Sequence, residues 1–149
     1  MKMSVGDWLG RAFRFFAMVV LVAVPTLSSA QSLAISPTKL EVIAPGNQAT
    51  MVIKAAGAQI SSIQIRVFAW TEGTDPSKLR NTKNVAVSPP AAQLKPGQEL
   101  TLRIVRVSKT PVRKRECYRV LIDRLPDQAK ANDGVKLQVR HSVPLCFAP

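Results

Sequence analysis

Gly134–Pro149 reads Gly-Val-Lys-Leu-Gln-Val-Arg-His-Ser-Val-Pro-Leu-Cys-Phe-Ala-Pro. Val135, Leu137, Val139, Val143, Leu145 and Phe147 recur at every second position, with His141 the one polar residue in that phase. Lys136, Gln138, Arg140 and Ser142 occupy the other phase. A period of two over this length predicts a β-strand with one apolar face. At about 13 residues the stretch is far longer than the usual strand of roughly 5–6. It is therefore expected to outrun the sheet it belongs to, leaving Val135, Leu137 and Val139 with nothing of their own fold to cover.

The preceding apolar run, Cys117–Asp123, can be registered against it. If Cys117 lies opposite Cys146 in an antiparallel pair, then Tyr118, Val120 and Ile122 meet Leu145, Val143 and His141 on the apolar face. On the other face Asp123 meets Arg140, a favourable cross-strand charge pair. One register thus satisfies a disulfide, an apolar face and an ion pair, and a slip of one residue would ruin all three. The alternative for the cysteines is two buried free thiols. In this register Val139, Leu137 and Val135 continue the apolar row past the partner strand, opposite Arg124 and the Leu125–Asp133 segment.

Further alternating runs lie upstream, separated by turn chemistry. Leu33–Ala44 is interrupted by Pro37, which predicts an edge strand that breaks or switches partner there. Pro45-Gly46-Asn47 is a turn, followed by Ala49–Ala55. Ser62–Trp70 alternates, with Ile63, Ile65, Val67 and Ala69 on one side and Gln64, Arg66, Phe68 and Trp70 on the other. Thr71–Asn84 reads as a loop, and Val85–Val87 as a short strand ended by Ser88-Pro89-Pro90, with a cis bond expected at Pro89-Pro90. Leu94-Lys95-Pro96-Gly97 is a second turn before the strand Glu99–Val107. Seven strands without a helical pattern predict an all-β, immunoglobulin-like seven-stranded β-sandwich.

The chain opens with a leader. Lys2, Arg11 and Arg14 precede the apolar run Phe15–Val24, and Ser28-Ser29-Ala30 supplies the small residues of a cleavage site. The expected division is a signal peptide at 1–30 and one domain at 31–149. A membrane anchor is the competing reading, but about 13 residues give a helix of only ~20 Å against roughly 30 Å of hydrocarbon. Membrane contact is thus expected only through the signal peptide.

The net charge of +12 falls to +10 without the leader. Export excludes nucleic acid as the partner of that charge, and one Tyr offers little for stacking on bases. Anionic groups outside the cytoplasm remain. Arg103, Arg106, Lys109, Arg113, Lys114, Arg115 and Arg119 place seven cations in 17 residues against Glu116 alone. That run reads either as a patch for an acidic partner or membrane, or as a solvated face. Two widely spaced cysteines and one His supply no closed zinc site, and no metal or cofactor is expected. His141 has no Ser or Asp at a spacing that would make it catalytic, and Trp70 is expected in core or loop packing. No enzyme activity follows from these residues.

An exposed edge with alternating apolar side chains is suited to completing another protein's sheet. The bland alternative folds Leu125 and Pro126 over the ladder. Several stretches resemble the N-terminal domain of periplasmic pilus chaperones of the chaperone–usher pathway, nearest to its archaic branch. They are Ile35-Ser36-Pro37-Thr38-Lys39, Arg66–Trp70, Val87–Pro90, Leu94–Gly97, Tyr118–Asp123 and Val139–Pro144.

The resemblance implies a periplasmic, non-enzymatic chaperone of fimbrium biogenesis and cell wall organization. Such a protein holds pilin subunits by donor-strand complementation through Val135, Leu137, Val139 and His141, then delivers them to an outer-membrane usher. The resemblance also implies a carboxylate anchor made by one cation from the first strand and one from the last. Lys39 fills the first position, whereas the second is Pro144. Arg119, directly across from Pro144, is the expected substitute, with a solvated or internally paired Arg119 as the alternative.

The family has a second β-sandwich that the chain to Pro149 does not contain. A truncated product without function, a single-domain variant and an excerpt all fit that ending. Other readings are a structural fibre subunit or another exported β-sandwich binding module, and the exposed edge leaves self-association open.

Overall fold

The computed structural model describes residues 32–126 and 138–149. The expected leader at 1–30, Val135 and Leu137 lie outside them. Among the described residues ten strands form two packed sheets. They are β1 (Leu33–Ser36), β2 (Leu40–Ile43), β3 (Gln48–Ala55), β4 (Ser61–Trp70), β5 (Arg80–Asn81), β6 (Val85–Ser88), β7 (Ala91–Leu94), β8 (Glu99–Arg106), β9 (Glu116–Leu125) and β10 (Arg140–Ala148). The first sheet has the order β1-β3-β8-β6; the second runs β2-β10-β9-β4-β5, with β7 also on β4. No helix among the described residues is long and apolar enough to cross a membrane.

The all-β sandwich is as expected, but the count of seven strands is corrected to ten. Pro37 cannot donate to a ladder, and the first run divides around it into two strands serving different sheets. β1 pairs antiparallel with β3, and β2 runs parallel to β10. Two short strands were missed because their sequences carry no alternation. β5 covers Phe68–Ala69 of β4, and β7 covers the Ser61–Gln64 end of the same edge. The cis bond near the Pro pair is Ser88–Pro89, not Pro89–Pro90.

The turns follow their residues. Gly97 has φ +74°, a conformation that suits glycine in the turn after Pro96. At Gly46 a Cβ would lie 2.8 Å from the Ile43 carbonyl oxygen, so the turn from β2 to β3 excludes a side chain.

Alternate residues from both sheets meet in the core. Met51 and Ile53 of β3, Leu102 and Ile104 of β8, Ile63 and Ile65 of β4, Val120 and Ile122 of β9, and Leu145 and Phe147 of β10 are all essentially buried. Tyr118 meets Phe147 edge-on with ring centroids 6.0 Å apart.

Candidate functional site

The β9–β10 register is the expected one, from Arg140↔Asp123 through Pro144↔Arg119 to Cys146↔Cys117. One further bond, from the Arg124 N–H to the Val139 carbonyl, extends the ladder beyond β10 itself. The inward row of β10 becomes progressively exposed along the strand. Leu145 is 0% exposed, Val143 5%, His141 half-buried and Val139 46%. A period-two row that starts in the core therefore ends in solvent.

The two edges of β10 differ as well. β9 pairs with it from Arg140 to Phe147, whereas β2 reaches only Leu145–Ala148. Among the described residues no strand covers the second edge of Arg140–Pro144. The cause is the break at Pro37, since the segment that would continue β2 upstream pairs with β3 in the other sheet. Odd-numbered residues of β10 bond toward β9, as Val139 does, while the Ala148 carbonyl accepts from Ala44 on the β2 side. Alternation then turns the N–H groups of Arg140 and Ser142 toward the open edge. Pro144 falls in the same phase, where the N–H it lacks breaks no bond.

Asp123, 1% exposed, holds the base of the open segment. Arg140 Nε donates to its Oδ1 at 2.5 Å, and Arg66 from β4 donates to Oδ2 at 2.6 Å. Burial pushes the Asp123 carboxyl up, but hydrogen bonds and charge from Arg140 and Arg66 outweigh it, so its pKa lies below the ordinary value. Three adjacent strands are thereby joined through one carboxylate. The expected Asp123–Arg140 pair is present; the second cation, Arg66, was missed. Registering β4 against β9 as well, which pairs Gln64 with Asp123, would have placed Arg66 nearby.

Cys117 and Cys146 form the expected disulfide on the outer face of this sheet. They pack with Trp70 and Leu79 in a small cluster of their own, so the packing role expected of Trp70 is borne out. Glu72 approaches Cys117 Sγ at 3.8 Å. With both sulfurs bonded to each other, these residues make no metal site.

Lys39 and Arg119 lie on the same outer face. Lys39 immediately precedes Leu40, the partner of Leu145, and so flanks Pro144 on one side; Arg119 pairs with Pro144 on the other. Lys39 Nζ is exposed, 3.8 Å from Glu41. The Arg119 guanidinium lies 4.0 Å from the Trp70 ring centroid, and its Nε is buried without a partner among the described residues.

The basic run before Arg119 does not form one patch. Arg106 is buried, donating through Nε and Nη2 to Glu116 at 2.9 Å each and through Nη1 to the Ser108 and Thr110 carbonyls. Hydrogen bonding from Arg106 holds the Glu116 carboxyl below its ordinary pKa. Arg115 is paired with Glu41 and Glu72. Lys109, Arg113 and Lys114 are exposed in the loop, and Arg103 faces outward from β8. Glu41 and Glu72 are distant in sequence, which is why the run looked unopposed.

Comparison with known proteins agrees with this geometry. Residues 32–149 match the family described as pili and flagellar-assembly chaperone, PapD N-terminal domain. The chain belongs to that family, which is one of assembly chaperones and not of enzymes. No curated protein sequence matches it.

Among solved structures it resembles a chain of the CsuC–CsuE chaperone–tip adhesion subunit pre-assembly complex from the archaic Csu pili of Acinetobacter baumannii. Identity is 27%, the TM-score 0.64, and coverage 78% of this chain and 56% of that one. The SafA pilin–SafB chaperone complex of Salmonella enterica gives 22% identity and a TM-score of 0.63, covering 82% and 56%. The E. coli chaperone DraB gives 20% and 0.63, covering 80% and 55%. The last two likenesses are of fold alone. The chain spans little more than half the length of each.

Proposed function

We propose that this chain acts in the periplasm as a chaperone that lends its last strand to a pilin subunit and passes the subunit to an outer-membrane usher. The observation that carries this reading is the inward row of β10, which runs from full burial at Leu145 to exposure at Val139 beside a backbone edge that no strand among the described residues covers. A subunit lacking one strand would bond to the Arg140–Pro144 edge. Its pockets would take Val139 together with Leu137 and Val135, which precede it in the sequence, with His141 at the base of the row. Full burial of the three aliphatic side chains contributes up to roughly 5–9 kcal/mol.

Lys39 and Arg119, on either side of Pro144, are placed to hold the subunit's C-terminal carboxylate. An Arg fork suits a planar carboxylate. Export would follow from the leader expected at 1–30, and an oxidising compartment suits the Cys117–Cys146 disulfide. Neighbouring structures of chaperones with their pilin or tip subunits support the partner class.

Co-expression with candidate periplasmic subunits, followed by pull-down, tests the reading. Wild-type protein is expected to retain a subunit that Leu137→Asp loses. Equal capture by both would overturn donation through the ladder. A fibre subunit, by contrast, would take up a donor-strand peptide, and this chain is expected not to.

A further inference from the structure

Two buried side-chain polar atoms lack a hydrogen-bond partner among the described residues: Trp70 Nε1 and Arg119 Nε. Both are donors, and they belong to a single stacked pair. Folded proteins leave few buried donors unsatisfied, so two on touching side chains call for a cause. The acids on this side of the sandwich are engaged elsewhere. Glu116 is held by Arg106, Glu72 by Arg115, Glu41 by Arg115 and Lys39, and Asp123 by Arg66 and Arg140. Arg119 is left without a carboxylate among the described residues, and its guanidinium rests on an aromatic face instead.

Trp70 is itself well fixed. It is 9% exposed and wedged against the disulfide and Leu79. An immobile indole under the guanidinium restricts the plane in which the cation can lie. Arg119 is half-buried and its Nε is buried, so the terminal amino groups are the part it can present beside Pro144.

We propose that Trp70 is the positioning residue of an anion site at Arg119. Its indole holds the fork flat and unneutralised, ready for the C-terminal carboxylate of a bound polypeptide. This rests on the reading of Arg119 as the carboxylate anchor and adds the residue that orients it. A planar carboxylate accepts two parallel bonds from such a fork. A lysine at this position would gain less, because an ammonium has no planar face to lay on the ring.

The test uses two probes: an acetylated tetrapeptide of alternating valine and threonine with a free C-terminal carboxylate, and the same peptide amidated. The full chain should prefer the acid by roughly tenfold, as charge-assisted bonding requires, and Arg119→Leu should abolish that preference. Trp70→Leu should reduce it about fivefold, while Trp70→Phe, which keeps an aromatic face, should stay within about twofold of wild type. Absence of preference in the wild-type chain overturns the anchor and the platform together. A full preference retained by folded Trp70→Leu overturns the platform alone.

A second measurement, on the unmutated chain, covers the case in which Trp70→Leu does not fold. On titration with the acid peptide, the Arg119 Nε–H and Trp70 indole N–H resonances should shift together and saturate at one concentration. A shift of Arg119 without Trp70 would contradict the platform.

Discussion

The two halves of β10 are made of the same alternating sequence and meet opposite fates. Leu145–Phe147 is bonded on both edges, between β9 and β2, and its inward residues Leu145 and Phe147 are fully buried. Among the described residues Arg140–Pro144 is bonded on one edge, and the row above it emerges at Val139. Hydrophobic periodicity thus specifies which way side chains point, but not how much of the strand its own fold will cover. Cover is decided elsewhere in the chain, by Pro37 and the change of sheet it accompanies.

The sharpest way to break this contrast is substitution within the inward row. Leu145→Ala should lower unfolding free energy by about 3–4 kcal/mol, as large-to-small changes in packed cores do. Denaturant titration checks it. Val139→Ala should leave stability within about 0.5 kcal/mol, as exposed sites do, yet weaken subunit capture. Equal destabilisation by the two changes would mean that the halves do not differ.

Next in size is the disulfide, which closes a 29-residue separation between β9 and β10. The Cys117→Ser, Cys146→Ser double variant should lose about 3–4 kcal/mol on the chain-entropy account. The thermal midpoint would report it.

The arginines divide in the same way. Arg106 is buried with Glu116, Ser108 and Thr110 around it. Arg106→Leu should cost about 2–4 kcal/mol, because Glu116 loses its partner. Arg119→Leu, which breaks no ion pair among the described residues, should cost well under half of that. A larger loss at Arg119 than at Arg106 would invert the assignment of one to structure and the other to binding.

The smallest expected effect is on pH dependence. Asp123 has a folded-state pKa below its unfolded value of about 3.9. The unfolded chain therefore binds the proton more readily, and stability rises with pH through that window. The contribution is complete above the unfolded value and disappears as pH falls through the folded one. Asp123→Asn should show a shallower loss of thermal midpoint below about pH 4 than wild type.

Much of this architecture was legible because β9 and β10 constrain each other. Two cysteines, an ion pair and an apolar face select one register, and the observed pairing matches it at every rung. Pro37 likewise announced the change of partner. The short strands β5 and β7 were not legible, since their pairing on β4 depends on an available edge and not on their own residues. The outer-face chemistry was hidden for a related reason. Arg66 reaches Asp123, Trp70 lies under Arg119, and Glu41 and Glu72 meet Arg115 across three strands and two loops. Local charge counting cannot reveal such long-range pairs; only a register between β4 and β9 would have exposed the first two.

Amide hydrogen exchange at Arg140 and Ser142 tests the open edge most directly, with Leu145 and Phe147 as internal references. In the free protein the first two amides should exchange quickly and the references slowly; a bound pilin subunit should slow all four to a similar degree. Arg140 and Ser142 already as protected as the references in the free protein, or still fast when the subunit is bound, would contradict strand donation.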